Sequence, residues 1–160
     1  DVAVPMEVRD DDINIGNLYD APPRYFVFAG LVFTPLTLDY VKTFGRNWRG
    51  VANSEMIYEL YYRRNEPPAK VGKEPVVLAT TLAHPVNADM RLASRAMIDT
   101  INGKRIESLE DVIAAFEENT KPQHMIQFIS GTVECLDNTR AELANPEILS
   151  TYGIQTDRRL

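Results

Sequence analysis

The segment from Tyr25 to Leu36, YFVFAGLVFTPL, constrains the fold more than any other stretch of the chain. Its apolar residues are nearly continuous and rich in aromatic and β-branched types, the composition of a buried strand rather than a surface one. Gly30 breaks the run. A glycine inside a strand pattern marks a bulge or a point where another backbone comes close. Phe28-Ala29-Gly30-Leu31 therefore reads either as a kinked core strand or as a loop whose backbone N–H groups hold a carboxylate.

A second segment, Ile98 to Phe116, adds a hairpin and a helix. Ile98 and Ile101 lead into Asn102-Gly103, the dipeptide best suited to a tight turn with positive φ, and a return strand follows through Ile106. Ser108 is placed as an N-cap, with Glu110 and Asp111 in the first turn, where negative charge suits the helix dipole. Leu109, Val112, Ile113 and Phe116 fall at i, i+3, i+4 and i+7, one apolar face that needs a partner.

These segments resemble the peptide-binding parts of a PDZ domain of the Deg/HtrA type. FAGLVFTPLT, the helix-like LDYVKTFG, PVVLATTL, INGKRIESLEDV and the closing LDNTRAELANPEILSTYGIQTDR together resemble the C-terminal, second and atypical PDZ domain of plant Deg-type serine proteases and their bacterial relatives. The resemblance runs from about Pro22 to Arg158, and AGLVFTPLT and ILSTYGI with its following DR are its specific pieces. It implies a strand-addition site in which an extended peptide lies beside Leu31 to Thr34 while its terminal carboxylate meets N–H groups at Ala29 to Leu31. The implied peptide-binding residues are Phe28, Ala29, Gly30, Leu31, Phe33, Leu109, Val112 and Phe116. The alternative is that these same side chains are filled by the domain's own core. Ordinary PDZ domains of this type carry Gly-Leu-x-x-Gly-Asp before the hairpin; here that place reads Arg91 to Met97, RLASRAM, without either glycine or the aspartate, as in the divergent subfamily.

Length and composition suit a module of this kind. A chain of 160 residues with 44% hydrophobic and 25% charged residues reads as one globular domain, and no stretch approaches the ~20 apolar residues of a membrane span. Net charge is −6 and no basic stripe is present, which argues against nucleic acid as a partner. Residues 1–23, with Asp10-Asp11-Asp12 and Asp20-Ala21-Pro22-Pro23, read as a linker, although Val2, Val4, Met6 and Val8 alternate as an added strand would; 24–160 form the PDZ-like domain. The chain opens on Asp1 with no start methionine, the expectation for a processed chain or for a module cut from a longer one. The lone Cys135, in strand-like TVECL, reads as a small buried hydrophobe.

Catalytic chemistry finds little support. Nucleophilic catalysis needs a serine held by a histidine beside an oxyanion pocket. His84 precedes Pro85 in a loop, His124 opens the strand-like HMIQF, Ser130-Gly131 reads as a turn, and the Gly-Asn-Ser-Gly-Gly-like signature of the parent protease is absent. Two distant histidines and one cysteine have no metal-ligand spacing, Asp137, Asn138 and Asp157 read as turn or cap residues, and no glycine-rich phosphate loop is present, so no catalytic residue, metal or cofactor is expected.

Asp39 to Gly45 and Glu55 to Arg64 read as helices, with Met56, Ile57, Leu60 and Tyr61 on one face of the second, which stops at Glu66-Pro67-Pro68. Asn145-Pro146-Glu147 reads as a helix start whose Ile148, Leu149 and Tyr152 make a small apolar face closed by Gly153. That face and Tyr58, Tyr61 and Tyr62 pack internally or dock on a neighbouring subunit. The expected fold is α+β: a small, mostly antiparallel, partly closed sheet with two or three flanking helices. The expected function is a non-catalytic regulatory and interaction domain of a protein quality-control protease, binding peptide C-termini, its protease domain or other subunits of a homo-oligomer. The alternative is a structural oligomerisation module with a closed groove.

Overall fold

In the computed structural model of the chain, residues 21–63, 66, 74–91 and 94–160 are described. The alternating strand candidate Val2 to Val8, most of the 1–23 linker and Pro67-Pro68 lie outside them. The first apolar run folds as a hairpin, with β1 (Tyr25–Phe28) and β2 (Leu31–Pro35) joined by Ala29 at φ +49° and Gly30 at φ +85°. Two successive left-handed residues give the turn whose twist matches that of antiparallel strands, so Phe28 partners Leu31 and Phe26 partners Phe33. Gly30 is required there for a second reason. An added Cβ would lie 2.5 Å from the Leu82 carbonyl oxygen and from Asn87 Nδ2.

Three helices follow, α1 (Leu38–Lys42), α2 (Trp48–Val51) and α3 (Ser54–Tyr61); the first and third are capped by Thr37 and Asn53 side chains and are shorter than the sequence pattern suggested. Next come β3 (Val76–Thr81), a 3-10 turn (Pro85–Asn87), β4 (Ala96–Ile101), β5 (Lys104–Arg105) and α4 (Leu109–Glu117). The chain closes with β6 (Gln123–Phe128), β7 (Val133–Asp137), α5 (Asn138–Thr151) and β8 (Arg158–Arg159). The strands form one open sheet in the order β7-β6-β4-β3-β2-β1-β8, with β5 beside β4, and every pairing is antiparallel. The fold is α+β and antiparallel, as expected, with an open rather than partly closed sheet and five helices among the described residues rather than two or three.

Because successive side chains of a strand point to opposite faces, the sheet carries two cores. Phe26, Leu31, Phe33, Leu78 and Ile98 face α4, whereas Leu36, Val77 and Met97 face the helices α1–α3 through Val41, Trp48, Met56 and Leu60. Asn102 and Gly103 take φ of +55° and +83°, and the Ser108 side chain accepts from Asp111 N–H, so the hairpin and the cap of α4 stand where the sequence put them.

Two local expectations fail. Asn145-Pro146 lies inside α5, which begins at Asn138 and is capped by the Asp137 side chain accepting from Arg140 N–H. Burial of Ala141, Ala144 and Ile148 on one face of the longer helix outweighs the ~3 kcal/mol of an interior proline. Cys135 is exposed rather than buried, because β7 has one face to solvent and Leu136 takes the inward position.

Candidate functional site

The candidate groove is the seam where α4 lies across β1 and β2. Its apolar wall comes from α4, whose Leu109 and Val112 are fully buried and whose Phe116 is 3% exposed. The opposite wall is the β1–β2 hairpin, where Ala29, Leu31 and Phe33 are fully buried and Phe28 is half-buried. Phe116 stands 4.8 Å from Phe28, 5.6 Å from Phe33 and 6.1 Å from Phe26 between ring centroids. The fold therefore brings all eight sequence-derived residues together, seven of them as interior. The apolar side chains among them pack against one another.

Three backbone polar groups of the Ala29-Gly30 turn are occupied by the chain itself. Ala29 N–H donates to Asn145 Oδ1 at 2.9 Å, Asn87 Nδ2 donates to the Ala29 carbonyl at 2.9 Å, and Leu82 N–H donates to the Gly30 carbonyl at 2.7 Å. A carboxylate that used the Ala29 N–H would have to displace Asn145. Strand addition meets a second obstacle, because β2 pairs with β1 along one edge and with β3 along the other. The edge that a peptide would use carries β1.

The tail locks this arrangement. After α5, Gly153 at φ +68° reverses the chain, with Ile154 N–H donating to Leu149 O and Gly153 N–H to Ser150 O, the pattern of a glycine C-cap. β8 then pairs with the outer edge of β1, Val27 N–H donates to Asp157 O, and Arg158 reaches Glu117 of α4 at 2.8 Å while lying over the Phe26 ring. Ile148 is buried, whereas Tyr152 is 43% exposed and donates its hydroxyl to Ala83 O, so the tail's apolar face packs on its own domain only in part. At the other end of the seam, Arg24 pairs with Glu74 and Glu110, and Glu74 accepts from Leu109 N–H. Asn145, Asn87 and β8 are the site residues that sequence reasoning missed.

The remaining reactive groups are engaged elsewhere. His84 caps the 3-10 turn, accepting from Val86 N–H, with Nε2 3.9 Å from Glu147. His124 is fully buried among amide side chains, and burial lowers its proton affinity below the usual histidine range. Among the described residues no cluster of three His, Cys, Asp or Glu side chains could hold a metal ion, and no helix is long and apolar enough to cross a membrane. The exposed surface of the helical layer carries Tyr58 stacked on Tyr62, the latter 60% exposed, while Tyr61 turns inward.

Comparison with known families matches residues 15–159 to the PDZ domain. Among curated proteins, the chain is 26% identical over 139 residues to "Protease Do-like 4, mitochondrial" of Arabidopsis thaliana, covering 87% of this chain and 23% of the relative. It is 24% identical over 136 residues to "Putative protease Do-like 3, mitochondrial" of the same plant, covering 85% of this chain and 22% of the relative. The chain thus spans less than a quarter of the length of either relative. With nearly the whole sheet-and-helix body inside the family match, the chain belongs to the PDZ domain family, a class of protein-interaction domains.

Proposed function

We propose that this chain is the non-catalytic PDZ module of a larger Deg/HtrA-type serine endopeptidase, acting on the protease domain or on neighbouring subunits through its outer surfaces while its own chain keeps the peptide groove closed. The observation that supports this most is the double pairing of β2, reinforced by Asn145 on the Ala29 N–H. PDZ-type recognition adds a peptide as an extra strand, and here β1 has that position. The similarity to two Do-like proteases supports the larger context.

The test is a binding scan of the chain against peptides with free and amidated C-termini, with its mass in solution measured alongside. The expected result is no carboxylate-dependent binding together with self-association or capture of the parent's protease domain. Carboxylate-dependent binding by the unaltered chain would refute the closed groove and install a second reading, recognition of peptide C-termini by Phe28 to Phe33 and the α4 face. That reading is favoured by the convergence of all eight residues on one seam, and it requires β1 to leave β2.

A further inference from the structure

His124 sits at the junction of β6 with α4, α5, β1 and the β4–β5 turn, and its hydrogen bonds allow only one charge state. Asn102 Oδ1 accepts from Met125 N–H while its Nδ2 donates to Ala115 O, so the amide cannot be turned round; that same Nδ2 lies 3.1 Å from His124 Nδ1. Asn119 is fixed likewise, its Oδ1 accepting from Lys121 N–H and its Nδ2 donating to Gln123 O, with Nδ2 3.0 Å from the same Nδ1. Two N–H donors therefore face Nδ1, which must be an acceptor. Asn138 gives both its Nδ2 protons to Asn119 O and Lys121 O and turns Oδ1 to His124 Nε2 at 2.9 Å, so Nε2 carries the ring's proton. A second proton, on Nδ1, would point at two donors held by backbone on both ends.

The ring's nearest other neighbours bring no counter-charge. Phe28 of β1 lies 5.3 Å away edge-on and Phe116 of α4 4.9 Å away, and the register partner on β7 is the buried Leu136. On α5, Glu142 is the charged group whose field reaches the ring, and it favours the protonated form, as does the Asn138 bond; burial opposes both and prevails.

We infer that His124 is a pH-sensitive latch, whose second protonation breaks the amide clasp and releases the C-terminal end of α4 from the β4–β5 turn and β6. The bonds lost are those that tie Ala115 and Asn119 to the β4–β5 turn and to β6, beside the Phe28–Phe116 contact that closes the seam. The unfolded chain takes up this proton near pH 6.5 and the folded chain only at lower pH. The latch's contribution is therefore complete above about pH 6.5 and falls about tenfold in the folding equilibrium per pH unit below it, until the folded ring itself titrates. It operates whether or not a peptide ever occupies the groove.

The experiment is an NMR titration of the histidine ring nitrogens of the 160-residue chain between about pH 8 and pH 4.5, with amide exchange followed at Ala115 to Asn119 and, as reference, in β3. The expected result is a neutral Nε2–H tautomer at pH 7.5, protonation below about pH 6.5, and at least a tenfold rise in α4-end exchange over β3 with the same midpoint. His84→Gln should leave the midpoint unchanged and His124→Gln should abolish the rise. Should the glutamine variant not fold, Asn119→Ala removes one donor to the neutral ring and must move protonation to higher pH. Protonation of His124 at or above pH 6.5, a rise in exchange that does not track the ring, or an unmoved midpoint in Asn119→Ala would overturn the latch.

Discussion

Replacing Phe116 with alanine tests the closed seam most directly. The ring is 3% exposed and touches Phe26, Phe28, Phe33 and His124, so three strands lose a common neighbour at once. A buried Phe→Ala change costs about 3–5 kcal/mol from lost transfer and the cavity left behind. The cage of neighbouring rings resists collapse, and aromatic pairs add ~0.5–1.5 kcal/mol beyond area, so the expected loss is about 4 kcal/mol. Against a total stability of ~5–15 kcal/mol this leaves a fold that still forms but melts roughly 8–16 °C lower. Urea unfolding followed by far-UV circular dichroism measures the loss, with Leu143→Ala, at a site 76% exposed, as a control expected within about 0.5 kcal/mol of the unaltered chain. A loss below about 1 kcal/mol with an unchanged denaturant slope would mean that Phe116 faces solvent in an open groove, and the reasoning from packing would fail.

Asn145→Ala strands the Ala29 N–H in a part-buried turn and should cost about 1–3 kcal/mol by the same unfolding assay; an unchanged midpoint would show that Asn145 does not hold the turn. Gly30→Ala places a Cβ 2.5 Å from the Leu82 carbonyl oxygen at a left-handed φ, so it should lower stability by more than about 2 kcal/mol, and loss of binding alone would not identify a ligand contact there. Tyr40 is pushed up to about 12 by burial against a partial offset from Arg95, and its hydroxyl has no partner among the described residues. Its stabilising neutral state is complete below pH 10 and lost as pH rises towards about 12, so phenolate absorbance should differ between the chain and Tyr40→Phe only near the upper value, with Tyr40→Phe no less stable at pH 7. Titration of that tyrosine at pH 10 would sink the argument.

What could be read from the residues was whatever is decided within a turn or two of chain. Asn102-Gly103 needs positive φ at both positions, Ser108 lies three residues from the N–H it caps, and Leu109 to Phe116 share a face by period alone; each stands as read. The hairpin at Ala29-Gly30 was half legible, since the glycine announced a break but a left-handed alanine is held there by Asn145 and Asn87, 116 and 58 residues away. Side-chain amides carry no periodic signal, so the clasp around His124 was invisible in the same way. Asn145-Pro146 misled because its local chemistry suits a helix start, while burial of Ala141, Ala144 and Ile148 decides that the helix begins earlier. β8 is two residues long and shows no pattern of its own.

The pairing of Tyr25 with Arg159 has a mechanical consequence. β1 enters the sheet and β8 leaves it at the same corner, on adjacent antiparallel strands, so tension between the two ends pulls across the ladder rather than along it. Load then falls on one rung at a time, Tyr25–Arg159 first and Phe26–Arg158 with its Glu117 ion pair next, before the bond of Val27 N–H to Asp157 O. Under force this domain should peel from its C-terminal strand well before either core yields, and the first surface it uncovers is the outer edge of β1.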